Sequence, residues 1–165
     1  MLRKEKMEPK IVINKEIKLV GMSTRTSLNK NKTVALWKQF MGRKKEVGNI
    51  KNSWYYSIQR YDVDLKMENF TPNIIFETCA AVEVNCFEEI PDDMESLVIP
   101  EGEYAVFIHR GATDSFHKTA DFIFRVWLPN SKYELDNRMH FEIMKEEYLG
   151  PDNPNSEEEV WVPIK

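Results

Sequence analysis

Apolar and polar residues alternate from Ile11 to Val20, with Ile11, Ile13, Ile17 and Leu19 as the apolar set. A period of two sends successive side chains to opposite faces, so this stretch predicts a half-buried strand. The polar run from Ser23 to Lys32 reads as a connection. The period then changes. Val34, Trp37, Phe40 and Met41 recur at helical spacing and predict an amphipathic helix over about Thr33 to Lys45. Gly48-Asn49 marks a turn. Trp54 to Tyr61 is aromatic and suits a strand. Phe76 to Val84 is another, with Phe76, Thr78, Ala80, Val82 and Val84 on one face.

The second half repeats this order. Glu103 to His109 predicts a strand. Thr113 or Asp114 can cap a helix whose apolar positions are Phe116, Ala120, Ile123, Phe124 and Trp127, and Pro129 lies just past its expected end. Met139 to Lys145 and Val160 to Ile164 predict two more strands. Each half therefore reads strand, helix, strand, strand, with matching elements roughly 80 to 85 positions apart. Two such repeats, about 10–85 and about 102–165, predict an α+β fold. They are related by a pseudo-twofold, with antiparallel sheets, helices on one face and a ligand crevice on the other. The acidic stretch from Asn85 to Ser96 reads as the link between them, and 1–165 reads as one domain.

Composition narrows the class. The 165 residues are 42% hydrophobic and 30% charged, with a formal net charge of -4. That balance fits a soluble domain with a real core and argues against a nucleic-acid or anionic-membrane binder. The basic runs Arg3-Lys4-Glu5-Lys6 and Arg43-Lys44-Lys45 are short and read as a solvated terminus and a helix end. The two cysteines, Cys79 and Cys86, show no metal-ligand spacing, and a chain this size needs no disulfide framework. No apolar run approaches the roughly 18 residues that cross a membrane, and the N-terminus lacks a signal-peptide core. The expected location is cytoplasmic. His109, His117 and His140 are scattered, so no metal site is predicted. Nor is there a nucleophile elbow, a phosphate loop or a dinucleotide fingerprint, and no cofactor is predicted.

Strand alternation proposes a binding face. Val160, Val162 and Ile164 share one side of the last strand, leaving Glu159 and Trp161 on the other. Met139, Phe141 and Ile143 share one side of the preceding strand, leaving His140, Glu142 and Met144 opposite. If both aliphatic sets pack under the helices, the free face gathers Glu142, Met144 and Trp161. A carboxylate beside a Met and a Trp can grip a lipophilic cation. A glutamate at an alternating strand position ordinarily just faces solvent, and that reading stands beside the first. Tyr55 and Tyr56 are adjacent on a strand and face opposite ways, so one of them leaves the core. Tyr61, Tyr104, Phe107 and Tyr133 complete the aromatic set outside the two helices.

The run Gly102 to Gly111, the run Trp127-Leu128-Pro129-Asn130-Ser131-Lys132-Tyr133-Glu134-Leu135-Asp136, then Phe141-Glu142-Ile143 and Glu159 to Lys165 together resemble the GyrI-like family. These are small-molecule-binding domains, found as effector-binding domains of bacterial transcription activators of AraC and MerR type. The resemblance implies that Glu142 lies at the centre of a ligand cavity and that Trp127 lies near it. Ile143 stands where the family more often has an aromatic residue or Val, and Met144 where a Tyr is common. The implied ligand set is Glu142, Trp127, Trp161, Tyr56, Tyr55, Met144 and Phe107, and the implied ligand is an apolar or cationic small molecule. With the first strand starting about ten residues in, the expectation is a stand-alone module with no direct nucleic-acid contact, no membrane contact and an unknown protein partner. Two other readings accompany it. One is a hydrolase of cyclopropane-type toxic compounds that uses Glu142 as general base. The other is a protein-binding module similar to the family's gyrase inhibitor.

Overall fold

The computed structural model describes residues 7–165. The run Arg3-Lys4-Glu5-Lys6 lies outside the described residues. Eight strands form one continuous antiparallel sheet: β1 Lys10–Asn14, β2 Ile17–Thr26, β3 Tyr55–Arg60, β4 Phe76–Glu83, β5 Glu95–Ile99, β6 Gly102–Arg110, β7 His140–Met144 and β8 Glu157–Pro163. Their order across the sheet is β1-β6-β8-β7-β3-β4-β2-β5. Exchanging β1 with β5, β2 with β6, β3 with β7 and β4 with β8 reverses that order and leaves it otherwise unchanged. The pseudo-twofold therefore runs between β3 and β7, where Ser57 pairs with Glu142. Even the isolated bridges match, Ile50 with Val84 in one half and Leu135 with Ile164 in the other.

The α+β class holds, and three element boundaries differ from expectation. The stretch Ile11 to Val20 is two strands, broken at Lys15-Glu16. β1 pairs with β6 in the far half of the sheet, whereas β2 pairs with β4 and β5 and runs on to Thr26 through the expected connection. The expected link from Asn85 to Ser96 ends inside β5, whose Leu97 and Ile99 are buried. Each half is thus strand, strand, helix, strand, strand, with the leading strand lent to the other half. Gly21 marks where β2 curls against β4, since a Cβ there would strike the Ala80 carbonyl and Ala81.

Both helical layers cover the same face. Helix α1, Thr33–Arg43, buries Leu36 and Phe40 against Val20, Met22, Ala80 and Val82. The buried stripe is only partly the expected one: Phe40 is buried and Trp37 packs against the cluster, but Val34 and Met41 are 68% and 47% exposed. A tight turn, Lys44–Glu46, follows α1, and Arg43 reaches Glu46 and the Asp92 carbonyl. The second layer starts with α2, Phe116–Asp121, widens into a π-helical stretch, Phe122–Trp127, and ends in α3, Leu128–Asn130. Its residue before the first turn is Ser115, and neither Thr113 nor Asp114 caps it through a side-chain bond. Pro129 lies within the last turn rather than past it. A proline is tolerated at the first positions of a helical turn, where its missing N–H is not needed. Ile123 of this layer packs on Ala105, Phe107, Val160 and Val162.

The opposite face is filled as the sheet curls. Leu19, Tyr56, Ile58, Ile99, Tyr104 and Phe141 form a single buried cluster there that joins both halves. Tyr56 donates to Glu83 at 2.7 Å, and Lys51 pairs with the same carboxylate at 3.2 Å.

Candidate functional site

Strands β3 and β7 lie at the centre of the sheet, between the part covered by α1 and the part covered by α2–α3. Their side chains on the helical face therefore floor a groove. Sheet register fixes which they are. Tyr55 pairs with Met144, Ser57 with Glu142 and Gln59 with His140. On the flanks Ser57 lies opposite Ala80 under α1, and Glu142 lies opposite Val160 under the second layer.

This register corrects the expected grouping. Phe141 pairs with Trp161, so Trp161 and Glu142 occupy opposite faces of the sheet. Phe141 and Ile143 pack into the far cluster with Tyr56 and Ile58 rather than under the helices. The aliphatic sets of the last two strands thus face opposite ways, and the groove containing Glu142 opens on the helical side.

Glu142 is half-buried. Its Oε2 accepts from Gln59 Nε2 at 2.8 Å, and the same amide lies 3.2 Å from Ser57 Oγ. Burial holds the Glu142 carboxyl well above the usual carboxylate range, the charge of Glu158 pushes it further up, and the Gln59 hydrogen bond opposes both. Glu158 is raised by its own burial. Among the described residues no Lys, Arg or His forms an ion pair with Glu142 or Glu158.

An aromatic wall closes one end. The Tyr61 ring meets His140 edge-on at 5.0 Å, and Phe124 lies tilted on His140 at 5.9 Å. Phe70 and Phe76 pack on Tyr61 at 5.9 and 5.2 Å. The turn Met67–Asn69 reaches the π-helical stretch, roofing this end. Wide π turns of this kind recur at functional sites. His140 is buried and its pKa is pushed down to about 4, so it is a neutral ring at physiological pH. The Tyr61 hydroxyl is raised by burial first and by the charge of Glu142 second.

Of the residues expected in the ligand set, Glu142, Met144 and Tyr55 share the groove face. Tyr55 meets Trp37 of α1 at 6.0 Å and accepts from Lys44 Nζ at 2.7 Å. Phe107 and Trp127 pack together at 5.1 Å in the core beneath α2–α3, and Trp127 stacks on Tyr133. Tyr56 is buried on the far face. Trp161, also there, stacks on Phe141 at 5.1 Å and donates to Glu159 at 3.1 Å. The expectation missed Gln59, Tyr61, Phe124, His140 and Glu158 as groove residues. The parity of Tyr55 extends to Gln59 and Tyr61, and that of Val160 to Glu158, so alternation alone carried part of that signal.

A depression of about 300 Å³ lies on the outer side of Tyr61 and Phe76. Its Arg60 and Glu77 bind each other, and Glu142 does not line it. Among the described residues no cluster of three or more His, Cys, Asp or Glu side chains is placed to hold a metal ion. Nor is any helix long and apolar enough to cross a membrane.

Comparison with known proteins agrees with this architecture. The transcriptional regulator BrlR of Pseudomonas aeruginosa is 25% identical over 158 residues, which cover 96% of this chain and 56% of BrlR. The chain thus spans little more than half of that relative. The structure of SAV2435 bound to tetraphenylphosphonium superposes with a TM-score of 0.74 at 14% identity, covering 96% of this chain and 94% of that one. The EcmrR C-terminal domain superposes with a TM-score of 0.71 at 17% identity, covering 98% and 99%. These two likenesses concern the fold. The sequence model of the GyrI-like small molecule binding domain matches residues 7–165, and the chain belongs to that family.

Proposed function

We propose that this chain binds lipophilic cations in the groove between its two helical layers, with Glu142 as the anionic anchor. Tyr55 and Met144 line one end of that groove, and Tyr61 and Phe124 wall the other. The observation that carries this reading is the state of Glu142. Its carboxyl is half-buried, bound by one neutral amide and without a cation from the described residues. A desolvated carboxylate without a partner is costly, and a bound cation relieves that cost. Aromatic faces and a thioether suit a cation whose charge is wrapped in apolar surface. The ligand held by SAV2435, tetraphenylphosphonium, has this chemistry. Because BrlR is a transcriptional regulator, a sensing role is the fitting use of such a groove, with sequestration of the compound as the simpler form.

Tetraphenylphosphonium titration of the wild type and of Glu142→Gln tests the reading. The substitution keeps the shape and removes the charge. Cation affinity should fall by on the order of 1–3 kcal/mol, the scale of a charge-assisted contact, while a neutral triaryl compound loses little. Equal cation affinity in both proteins would make Glu142 an ordinary surface carboxylate. Consumption of a bound compound, lost in the same variant, would instead favour the hydrolase reading.

A further inference from the structure

Glu142 shares the groove floor with a second carboxylate. Val160 lies opposite Glu142, so strand alternation sets Glu158, two residues earlier on β8, on the same face. Glu158 is therefore beside Met144 and diagonal to Glu142, a relation that separates the two residues by roughly 7–8 Å and their Cβ atoms by somewhat less. It is half-buried, and among the described residues its carboxyl makes neither a side-chain hydrogen bond nor an ion pair.

Among the described residues no Lys, Arg or His pairs with either carboxylate. His109 of β6 is the direct cross-strand neighbour of Glu158. It is buried, with Nδ1 2.6 Å from Thr119 Oγ1 and Nε2 3.3 Å from the Ala112 carbonyl, and burial lowers its pKa. His140 is kept neutral as described. Burial first, and then the charges of Glu142 and Glu158 respectively, raise the Tyr61 and Tyr148 hydroxyls so that both hold their protons, and Asp152, which also acts on Tyr148, adds a further negative charge nearby. Lys44, from the turn after α1, brings its charge to the Tyr55 end of the groove, where it donates to the Tyr55 hydroxyl and lies 4.7 Å over that ring, without pairing with either carboxylate. Lys145 follows Met144 but turns to the far face, where it pairs with Glu159 at 3.0 Å and lies 4.1 Å over the Trp54 ring. The one lysine of β7's end is thus spent on the side of the sheet away from the groove.

We propose that Glu158 is a second cation-recognising residue of the groove, and that the groove prefers ligands carrying two positive charges at opposite ends of an aromatic framework over monocations of the same shape. This rests on the cation-binding reading of Glu142. A monocation satisfies one of the two carboxylates and leaves the other desolvated. A dication whose charges are separated on the scale of a diagonal strand pair satisfies both.

Two planar probes of similar size separate the cases, the dimethyl-bipyridinium dication and the N-methyl-phenylpyridinium monocation. Both charges are permanent, so neither probe titrates. Calorimetric titrations use the full chain, Glu158→Gln, Glu158→Asp and Glu142→Gln, with tetraphenylphosphonium as reference and thermal melts as the folding control. The wild type should bind the dication about tenfold more tightly than the monocation, the scale of one further charge-assisted contact. Glu158→Gln should abolish that ratio. Glu158→Asp should keep part of the ratio. A wild type without preference, or a Glu158→Gln variant that retains it, overturns the proposal. If tetraphenylphosphonium binds in a Glu142-dependent manner and the dication shows no advantage, the role of Glu158 alone falls. If no cation binds the wild type, the reading of the groove falls with it.

Discussion

Glu142 and Glu158 are two half-buried carboxyls on the groove floor. Both carboxyls are raised by burial above the ordinary value of 4.5, so the folded state favours their protonated forms. Stability from a raised group is fully present below its unfolded pKa and is lost as pH rises through the folded one. The sign for His140 is opposite. Its pKa is pushed down to about 4, so the unfolded chain takes up its proton first and stability is lost as pH falls below the ordinary 6.5. Thermal melts from about pH 5 to about pH 9 should therefore show the wild type losing more stability on the alkaline side than Glu142→Gln, which stays neutral throughout. Superimposable curves would mean that Glu142 titrates as a solvated side chain. At this scale alternation within a strand was readable from sequence, which is why Glu142, Met144 and Tyr55 could be singled out. How two strands register was not readable. Phe141 opposite Trp161 is a tertiary choice, made by the far-face cluster, and it moves Trp161 away from Glu142.

The elements show the same division between local and non-local information. The 3.6-residue period announced α1 correctly, but its apolar positions fit two neighbouring stripes. The sheet selected Leu36 and Phe40 and left Val34 in solvent. The break at Lys15-Glu16 has no glycine or proline to signal it, and what separates β1 from β2 is the crossing to the other half. Asn14 ties that crossing down, donating its amide to the Lys15 and Pro100 carbonyls. β5 was hidden because a strand of five residues ending before a proline looks like linker. Packing makes a test simple. Leu36→Ala removes a core side chain and should cost about 2–5 kcal/mol. Val34→Ala, two residues away in sequence and exposed, should fall within about 0.5 kcal/mol of wild type. Denaturant unfolding of both variants checks this, and similar losses would contradict the observed stripe.

On the scale of the whole molecule the pseudo-twofold explains where the groove lies and why it is asymmetric. Two similar halves meet along β3 and β7, each half covers its own outer strands with a helical layer, and the seam is left between the layers. At matched positions across the axis one half offers Ser57 and the other Glu142, so the pseudo-symmetry supplies the shape and one unmatched residue supplies the charge. The repeat was visible in the element order of the sequence. The exchange of β1 and β5 between halves was not, because strand partners are chosen by contacts far apart in the chain. The central claim is that a bound cation replaces a proton on the groove carboxylates. Tetraphenylphosphonium has no titratable group, so any proton released on binding comes from the protein. Calorimetric titration near neutral pH, in two buffers of different ionisation heat, counts those protons. The account predicts measurable proton release by the wild type and loss of most of it in Glu142→Gln. Binding by the wild type with no proton release, at an affinity that Glu142→Gln shares, would contradict it.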